Sequence, residues 1–274
     1  MNTPLVSVLM PAYNAEKFIA EAIESILNQT FKDFEFIIVD DCSTDSTWEI
    51  IQRYSQKDSR IIGVRNEENL YIAKALNKGM QYTSSNFIAR MDADDISLPN
   101  RIDQQFNLIN SNKQIAVVGG NIILIDESGQ KIGNRTYPVG DREIKARMFK
   151  HSPFAHPATM FRKDSFVEFS GYNSRWSPSE DIDLWFKIGT KYQFANIPNN
   201  VLKYRYFQSS HSNKKLRYVE FMTLQIRLNA IKNLHYIPSF SDVAYNFLQF
   251  ITLWFMPVKI RMNLFNFIRN NIYK

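Results

Sequence analysis

Apolar and polar residues follow one another in blocks along the first 95 residues, and the blocks have the lengths of strands and helices. Short apolar runs rich in β-branched and aromatic residues predict buried strands, whereas apolar residues spaced three and four apart predict helices. The strands are predicted at 5–10, 34–39, 61–64 and 87–91, and the helices at 15–29, 45–54 and 72–82. This alternation is typical of an α/β protein whose mostly parallel sheet is covered by helices on both faces.

The pattern continues less regularly after Pro99. The further elements predicted are a helix at 101–110, strands at 115–118 and 121–126 on either side of Gly119-Gly120, and a turn at 127–130. Residues 131–213 give mixed signals, and the spacing predicts helices from residue 216 onward. We therefore expect a C-terminal helical extension of the α/β fold.

Polar residues follow three of the predicted strands. Ala12-Tyr13-Asn14 come after the first strand, Asp40-Asp41 end the second, and Asp92-Ala93-Asp94-Asp95 follow the fourth. Ligands of open α/β sheets bind beyond the carboxyl ends of the strands. The three segments are therefore expected at one edge of the sheet, where they would form a ligand site.

The Asp-x-Asp segment offers two carboxylates that point the same way from extended chain. Such hard oxygen ligands suit Mg²⁺ or Mn²⁺, which can neutralise the charge on a departing diphosphate. The alternative is a solvated acidic loop in which Asp95 caps the next helix.

The other acidic pairs also allow two interpretations. Asp40 and Asp41 could accept hydrogen bonds from a ribose hydroxyl or a uracil N–H, or they could cap a helix. Glu180-Asp181 stand before a predicted helix, where a carboxylate could take a proton from an incoming hydroxyl. Acids in a first turn are also favoured by the helix dipole alone. The chain has neither a GxGxxG nor a GxxxxGK[ST] phosphate loop.

Together these segments resemble the family 2 glycosyltransferases, which have the GT-A fold. The resemblance covers about residues 4–212 and rests on motifs in the family's order: Pro11-Ala12-Tyr13-Asn14, Gln29-Thr30, the run 39–47, parts of 69–79, Met91 to Asp95, the segment His156 to Arg162, and Glu180-Asp181. The chain departs from the family pattern at Cys42, Ser46 and Tyr71, where glycine is usual.

The resemblance implies inverting transfer of a sugar from a nucleoside diphosphate sugar, with a UDP-sugar as the expected donor, onto a hydroxyl of a glycan, with Mn²⁺ or Mg²⁺ as cofactor. It implies that Asp181 is the general base and that Asp94 and Asp92 bind the metal. The nucleotide-sugar residues would be Pro11, Ala12, Tyr13, Asn14, Asp40, Asp41, Lys74, Asn77, Arg90, Asp92 and Ala93. Glu180, His156 and Trp185 would lie on the acceptor side. His211, the histidine nearest to one found in many relatives, is either a further metal ligand or a surface residue.

We also expect a division of the chain into a catalytic domain and a tail. Residues 1–213 would form the catalytic domain, with a nucleotide-sugar half at 1–98 and an acceptor half at 99–213. Residues 214–274 would form a basic, aromatic helical tail, which has nine Lys or Arg and two acidic residues. The tail thus has a net charge of +7. Because the whole chain has a net charge of +6, residues 1–213 have a net charge of −1.

The tail has two interpretations. Apolar residues at helical spacing over 251–265, flanked by Lys259, Arg261 and Arg269, could lie in a membrane interface beside anionic lipid and give access to a lipid-linked acceptor. Alternatively, the tail packs on the catalytic domain with an exposed basic face. No stretch has the roughly 18 apolar residues of a spanning helix. We expect a cytoplasmic protein, peripheral on the inner face of the cell membrane.

Two other functions remain open from the residues alone. A metal-dependent nucleotidyltransferase also uses acidic residues on a similar sheet, and a pI near 9.2 fits a basic nucleic-acid-binding protein. The first usually has a glycine-rich basic loop after the first strand, which residues 11–17 lack. The second is disfavoured because an edge of acidic residues repels phosphate. We therefore expect no nucleic acid among the partners and predict an enzyme of cell-surface polysaccharide synthesis.

Overall fold

A computed structural model describes residues 3–207, 216–257, 260, 261 and 264 of the chain. The strands in chain order are β1 (Val6–Ala12), β2 (Phe34–Asp40), β3 (Ile61–Arg65), β4 (Phe87–Arg90), β5 (Ile96–Ser97), β6 (Ile115–Ile125), β7 (Lys131–Arg135), β8 (Met160–Arg162) and β9 (Gln193–Arg205). The α-helices are α1 (Ile19–Leu27), α2 (Thr47–Lys57), α3 (Tyr71–Met80), α4 (Arg101–Ser111), α5 (Asp141–Arg147), α6 (Lys163–Glu168), α7 (Glu180–Gly189), α8 (Leu216–Asn233) and α9 (Phe240–Phe255). Two short 3₁₀ helices span His156–Ala158 and Ser174–Trp176.

The strands form one sheet in the order β3-β2-β1-β4-β8-β6-β9-β5, and β7 pairs with β6. The first four strands along the chain pair in parallel. β1 lies between β2 and β4, and β3 pairs with the other edge of β2. The second half is mixed: β8 is antiparallel to β4 and β6, and β9 is parallel to β6. The predicted α/β class with a mostly parallel, helix-flanked sheet is confirmed.

Two layers of helices cover the sheet, as the alternation of buried side chains along each strand requires. Ile23 of α1, Ile50 of α2 and Ile102 of α4 belong to the core on one face. Leu76 of α3 and Trp185 of α7 belong to the core on the other. Because both faces are covered, the carboxyl ends of the parallel strands are left as the place where polar side chains can meet a ligand.

Helix α8 is built into the core of the protein. Its residues Met222, Ile226 and Ala230 are buried in the same apolar cluster as Trp185. After α8, the Tyr236 hydroxyl donates to the carbonyl of Phe186 at 3.0 Å. The chain from residue 216 to 236 therefore packs on the domain before it, whereas the predicted boundary at residue 213 stays a prediction.

Helix α9 is attached to the rest of the protein by polar contacts. Lys150 forms an ion pair with Asp242 at 2.9 Å, and the Asn246 amide donates to the carbonyl of Phe149 at 2.8 Å. The guanidinium of buried Arg227 donates to the side-chain oxygens of Asn246 and Gln249, both at 2.9 Å. The inner face of α9 is thus largely polar.

Two expectations for the tail are corrected by the structure. The apolar helix predicted across 251–265 is interrupted, because α9 ends at Phe255, before Pro257. Residues 260, 261 and 264 are helical again, and residues 258, 259, 262, 263 and 265 lie outside the described residues. Arg261 does not flank an apolar surface, because it is fully buried and its guanidinium pairs with Glu220 at 2.5 Å. The described residues include no helix with both the length and the apolar character needed to span a membrane.

The prediction of two separate strands on either side of the double glycine is also wrong. Strand β6 runs without interruption through Gly119 and Gly120, although its register with β9 shifts there. A Cβ atom on Gly119 would lie only 2.2 Å from Oδ1 of Asn196, so glycine allows close packing here. The predicted turn at 127–130 does join β6 to β7.

Candidate active site

A cavity of about 1320 Å³ opens at the carboxyl ends of β1, β2 and β4. Nine of the sequence-predicted residues line it: Pro11, Ala12, Tyr13, Asn14, Asp41, Lys74, Asp92, Ala93 and Asp94. Residues that are distant in sequence complete the wall, among them Arg175, Phe207 and Tyr218. Three strand ends and the start of α8 therefore contribute to one cavity.

A smaller pocket of about 280 Å³ adjoins this cavity. Predicted residues in its wall are Arg90, Asp92, His156, Glu180 and Asp181. Ile72, Asp92 and Pro178 line both spaces, so the two meet at these residues. The Asp-x-Asp segment thus stands between a large cavity and a pocket that contains two further carboxylates.

Asp92, Asp94 and Asp95 form an acidic cluster in which one carboxylate oxygen from each lies within 4.8 Å of the others. Burial, reinforced by the charge of Asp92, raises the pKa of Asp94 to about 7. Burial and the charge of Asp94 raise the pKa of Asp95 well above its ordinary value. Oδ2 of Asp95 is buried without a hydrogen-bond partner in the described structure. Close oxygen ligands whose charges repel are the donor set that Mg²⁺ or Mn²⁺ would satisfy.

Asp95 does not cap the helix that follows, because α4 begins only at Arg101. Its Oδ1 accepts the backbone N–H of Arg205 at 2.8 Å. The Arg205 guanidinium, almost completely buried, donates to the carbonyl of Asp94 at 2.9 Å and to Glu21 at 2.7 Å. It also donates to the carbonyl of Glu127 at 3.0 Å. Arg205 thereby holds the acidic segment against α1 and the β6–β7 turn.

Arg90 supplies the positive charge nearest to Asp92. Its guanidinium lies 2.7 Å from Oδ1 of Asp92, and only 1% of Arg90 is exposed. Buried Arg101 in turn donates to the carbonyl oxygens of Arg90 and Thr159. The end of β4 is therefore fixed by a buried arginine, and Asp92 is held between the two cavities in a defined position.

Asp41 lies at the end of β2 with its carboxylate in the wall of the large cavity. Its Oδ1 accepts the amide of Asn66 at 2.6 Å and the backbone N–H of Leu70 at 2.9 Å, and its own N–H donates to the carbonyl of Ala12. These bonds join the end of β1 to the start of α3. Because Oδ2 makes no such bond in the described structure, it can accept from a ligand.

Glu180 and Asp181 begin α7, as the sequence predicted for a loop-to-helix junction. Burial raises the pKa of Asp181 to about 6, against the lowering effects of the Ile182 backbone N–H and the Arg90 charge. Burial and the charge of Asp181 raise the pKa of Glu180 to about 7. Both carboxyl groups can therefore exchange a proton near neutral pH, which is the property of a general base or acid.

His156 lies in the smaller pocket, with Nε2 2.7 Å from the hydroxyl of buried Tyr172. Burial, with the nearby charge of Arg90, lowers its pKa well below the ordinary value. A neutral imidazole paired with a tyrosine hydroxyl fixes the wall of the pocket and can offer its other nitrogen to a ligand.

Three predicted residues lie behind the walls instead of in them. Asp40 pairs with Arg65 at 3.2 Å, and Trp185 is completely buried among core aromatic rings. The amide group of Asn77 bonds both to the carbonyl of Tyr172 at 2.7 Å and to its N–H at 3.0 Å. These side chains position the site from below. His211 lies outside the described residues.

Several residues of the two walls were not predicted. Asp95 completes the acidic cluster, Arg205 holds it, and Arg135, Tyr137 and Tyr204 line the smaller pocket. The pattern around Asp95 contains a signal, since it directly follows the Asp-x-Asp segment. The other residues come from β7, the segment after it and β9, and only the folded sheet brings them to the acids.

Sequence comparison agrees with this arrangement. Residues 7–169 match the model of the family described as Glycosyl transferase family 2. An uncharacterized glycosyltransferase of Methanocaldococcus jannaschii is 40% identical over 209 residues, which are 75% of this chain and 72% of the relative. The chain therefore belongs to glycosyltransferase family 2, and the protein is a glycosyltransferase.

Two further relatives have names that describe their roles. The O-antigen biosynthesis glycosyltransferase WbnJ of Escherichia coli is 34% identical over 229 residues, covering 81% of this chain and 88% of its own. The amylovoran biosynthesis glycosyltransferase AmsE of Erwinia amylovora is 28% identical over 264 residues, covering 95% of this chain and 98% of its own. The second match spans nearly all of the C-terminal helices.

Solved structures share the fold. The S. aureus TarS fragment 1–349, in complex with UDP-GlcNAc, superposes with a TM-score of 0.66 at 20% identity, covering 82% of this chain and 67% of that one. The mannosyltransferase PcManGT of Pyrobaculum calidifontis, in complex with GDP-Man and Mn²⁺, has a TM-score of 0.64 at 17% identity, covering 92% and 70%. The fold is thus that of the GT-A glycosyltransferases, as the resemblance implied.

Proposed function

We propose that the protein transfers a sugar from a nucleoside diphosphate sugar to a hydroxyl of a glycan acceptor with inversion at the anomeric carbon. The observation that carries the proposal is the position of Asp92, which stands in the walls of both cavities while Asp181 lines only the smaller one. The large cavity would take the donor, and the smaller pocket would take the acceptor hydroxyl. The transferred carbon would lie where the two spaces meet.

The protein's own groups would act as follows. Asp41, Ala12 and Tyr13 would hold the base and ribose. Asp181 would take the proton of the acceptor hydroxyl. The hydroxyl oxygen would at the same time form a bond to the anomeric carbon, and the bond from that carbon to the diphosphate would break. A carboxylate that takes the proton of the acceptor hydroxyl supports a direct displacement, which inverts the configuration.

Asp92 and Asp94 would hold a divalent cation, and the crowded carboxylates described above fit such an ion. When bound, the ion would neutralise charge on the departing diphosphate. PcManGT carries Mn²⁺ in its structure, which supports Mn²⁺ or Mg²⁺ as the cofactor here. UDP-GlcNAc in TarS supports a UDP-sugar as the first donor to test.

The donor proposal is tested by thermal unfolding with UDP-, GDP-, dTDP- and CMP-sugars, each with and without Mn²⁺. A ligand at about 100 times its Kd should stabilise the fold by about 2.7 kcal/mol and raise Tm by about 5–10 °C. We expect one class of nucleotide to do so in the presence of Mn²⁺. Asp94→Ala should remove the shift, and Asp164→Ala, at an exposed aspartate of α6, should keep it. A full shift in Asp94→Ala would refute the metal assignment.

Cell-surface polysaccharide synthesis is the proposed setting, because WbnJ and AmsE are named for O-antigen and amylovoran biosynthesis. We propose that the acceptor of this protein is a glycan on a lipid carrier. An enzyme that acts on such an acceptor works beside a membrane, so the surface of the C-terminal helices becomes relevant.

Helix α9 is amphipathic in the reverse of the usual sense. Its polar residues Asp242, Asn246 and Gln249 face the protein, whereas its large apolar residues are exposed. The exposed residues are Phe240, Val243, Phe247, Leu248, Phe250, Ile251, Trp254 and Phe255. The helix has one charged residue, Asp242, and that one is buried. Such a face is stable in contact with something apolar.

We propose that this face of α9 lies in the interface of the cytoplasmic membrane. Trp and Phe at one surface suit the boundary between headgroups and acyl chains, and the positive charge of the tail suits anionic lipid. The protein would then be cytoplasmic and peripheral on the membrane.

Flotation with phosphatidylglycerol vesicles tests this orientation. The triple variant Phe247→Ser, Trp254→Ser and Phe255→Ser should lose binding with little change in Tm, because these side chains are 64%, 62% and 82% exposed. The control is Ile132→Ser with Val139→Ser, whose side chains are about half exposed on another surface. Unchanged flotation of the triple variant would contradict the membrane proposal. A wild-type protein that is a dimer, together with a triple variant that is a monomer, would contradict it as well.

A further inference from the structure

Two exposed tyrosines flank Asp41 at the nucleotide end of the large cavity. Tyr13 follows Ala12, whose carbonyl accepts the N–H of Asp41 at 2.8 Å. Tyr71 follows Leu70, whose N–H donates to Oδ1 of Asp41 at 2.9 Å. Each tyrosine is thus one residue away from a backbone group bonded to the same aspartate, and both line the cavity.

The backbone at Tyr71 is in a conformation that disfavours its side chain. Its φ angle is +61°, in the left-handed region where a Cβ atom crowds the following carbonyl. Asparagine tolerates this region, as Asn14 does at +49°, but a tyrosine there is uncommon. Such outliers persist where the surrounding structure enforces them, and they are concentrated at ligand sites.

Packing within the protein does not account for a tyrosine at this position. The side chain of Tyr71 is 72% exposed. Its backbone N–H donates to Oδ1 of Asn69, but its hydroxyl has no hydrogen bond, and its ring no aromatic or cation contact, with the described residues. The ring therefore lines the cavity with no polar, aromatic or cation contact to the described residues.

We propose that Tyr71 is a donor-binding residue that stacks on the nucleobase of the donor, opposite Tyr13. This inference rests on the proposed nucleotide-sugar site and adds a second aromatic wall to it. A base is planar and presents a π face, which makes favourable stacking contacts with tyrosine. Asp41, between the two rings, would meet the edge of the base, while the diphosphate extends toward Asp92.

The test separates the ring from the backbone strain with three substitutions. Tyr71→Phe keeps the ring and the strain, Tyr71→Ala keeps only the strain, and Tyr71→Gly removes both. Tyr82→Ala is the control, because Tyr82 is an exposed tyrosine just beyond the other end of α3. Calorimetry with UDP and with GDP in Mn²⁺ gives the nucleotide affinity, and thermal unfolding without nucleotide gives the stability.

We expect Tyr71→Ala and Tyr71→Gly to lower the affinity for the preferred nucleotide by about 5- to 100-fold, which is the range expected from aromatic stacking on one base. Tyr71→Phe and Tyr82→Ala should remain within about twofold of wild type. Tyr71→Gly should melt about 2–4 °C above Tyr71→Ala, because glycine adopts this φ without crowding. A variant that is more stable yet binds nucleotide less well cannot be explained by damage to the fold.

Each other outcome overturns a different claim. Wild-type affinity for the nucleotide in Tyr71→Ala would refute the stacking role. Loss of affinity for the nucleotide sugar alone, with the nucleoside diphosphate bound normally, would place the ring against the sugar and overturn the base assignment. A wild-type protein that binds neither UDP nor GDP, nor any donor in the thermal screen, would refute the proposed function itself.

Discussion

The carboxyl group of Asp181 has opposite effects on activity and on stability. Its pKa is raised from 3.8 to about 6 by burial, so the folded protein binds a proton more tightly there than the unfolded chain does. The folded state consequently loses stability as the pH rises from about 4 to about 6. At neutral pH, the ionised carboxylate is the form that can take a proton from an acceptor.

Asp181→Asn should therefore lower kcat by about 10²–10⁴-fold and leave donor affinity nearly unchanged. It should also raise the free energy of unfolding at pH 8 by about 1–3 kcal/mol, and by much less at pH 4. Wild-type kcat/KM should increase with pH, reach half of its maximum near pH 6 and level off about one pH unit higher. Steady-state kinetics and denaturant unfolding at several pH values check these points; full turnover by the variant would rule out the base role.

At the residue scale, sequence reasoning was most informative where chemistry follows a strand directly. Asp41, Asp92 and Asp94 come immediately after buried runs, so their place at the sheet edge could be predicted. Asp40 directly precedes Asp41 but points into the interior, because successive side chains of extended chain face opposite sides, and Trp185 lies on the buried face of helix α7. A motif identifies a segment, and only the fold shows which of its side chains reach the cavity.

At the scale of elements, strand β6 shows how a glycine pair can be misread. Sequence statistics associate Gly-Gly with turns, but these two glycines leave room for side chains from the neighbouring strand. A Cβ on Gly120 would lie 2.8 Å from both methyl carbons of Val201. A Cβ on Gly133 of β7 would meet its nearest neighbour, Leu124, at 3.7 Å.

Gly120→Ala should accordingly lower the free energy of unfolding by about 1–3 kcal/mol, because the added methyl group overpacks the β6–β9 contact. Gly133→Ala, in the paired strand, should change it by less than about 0.5 kcal/mol. Urea unfolding of the two variants beside wild type is the measurement. Equal stabilities of the two variants would show that β9 adjusts to the extra volume.

Helix α9 was predictable as a helix but not in its orientation. An amphipathic pattern normally places the apolar side against the protein. Here the polar side is inward because Lys150, far away in sequence, and Arg227 of the preceding helix α8 provide buried partners for it. The sequence of α9 alone does not contain these charged partners, so it cannot predict which face of the helix is inward.

At the scale of the whole molecule, the two C-terminal helices differ in their importance for folding. Met222, Ile226 and Ala230 of α8 belong to the main apolar core, and Tyr218 lines the large cavity. No residue of α9 belongs to either of the two core clusters in the described structure. The sequence predicts a boundary at residue 213, where the charge changes sign, and α8, which lies beyond it, contributes side chains to the main apolar core.

A chain that ends at Pro238 should therefore unfold cooperatively and retain nucleotide binding, with a Tm within a few degrees of wild type. A chain that ends at residue 215 should lose cooperative unfolding, since it exposes the apolar surface of α7 and removes three core side chains. Calorimetry and nucleotide titration compare the two. A sharp, wild-type transition in the shorter chain would support the boundary at residue 213 instead.

Arg205 connects parts of the chain that are separated by up to 184 residues. Its guanidinium bonds to α1, to the acidic segment after β4 and to the β6–β7 turn at once, so it acts as a non-covalent cross-link between the first and second halves of the sheet. Closing such long loops is entropically unfavourable, and the bonds form only when all three segments are already in place. The acidic cluster thus becomes an indicator of complete folding: a half-folded chain would have the carboxylates but not the geometry that brings them together.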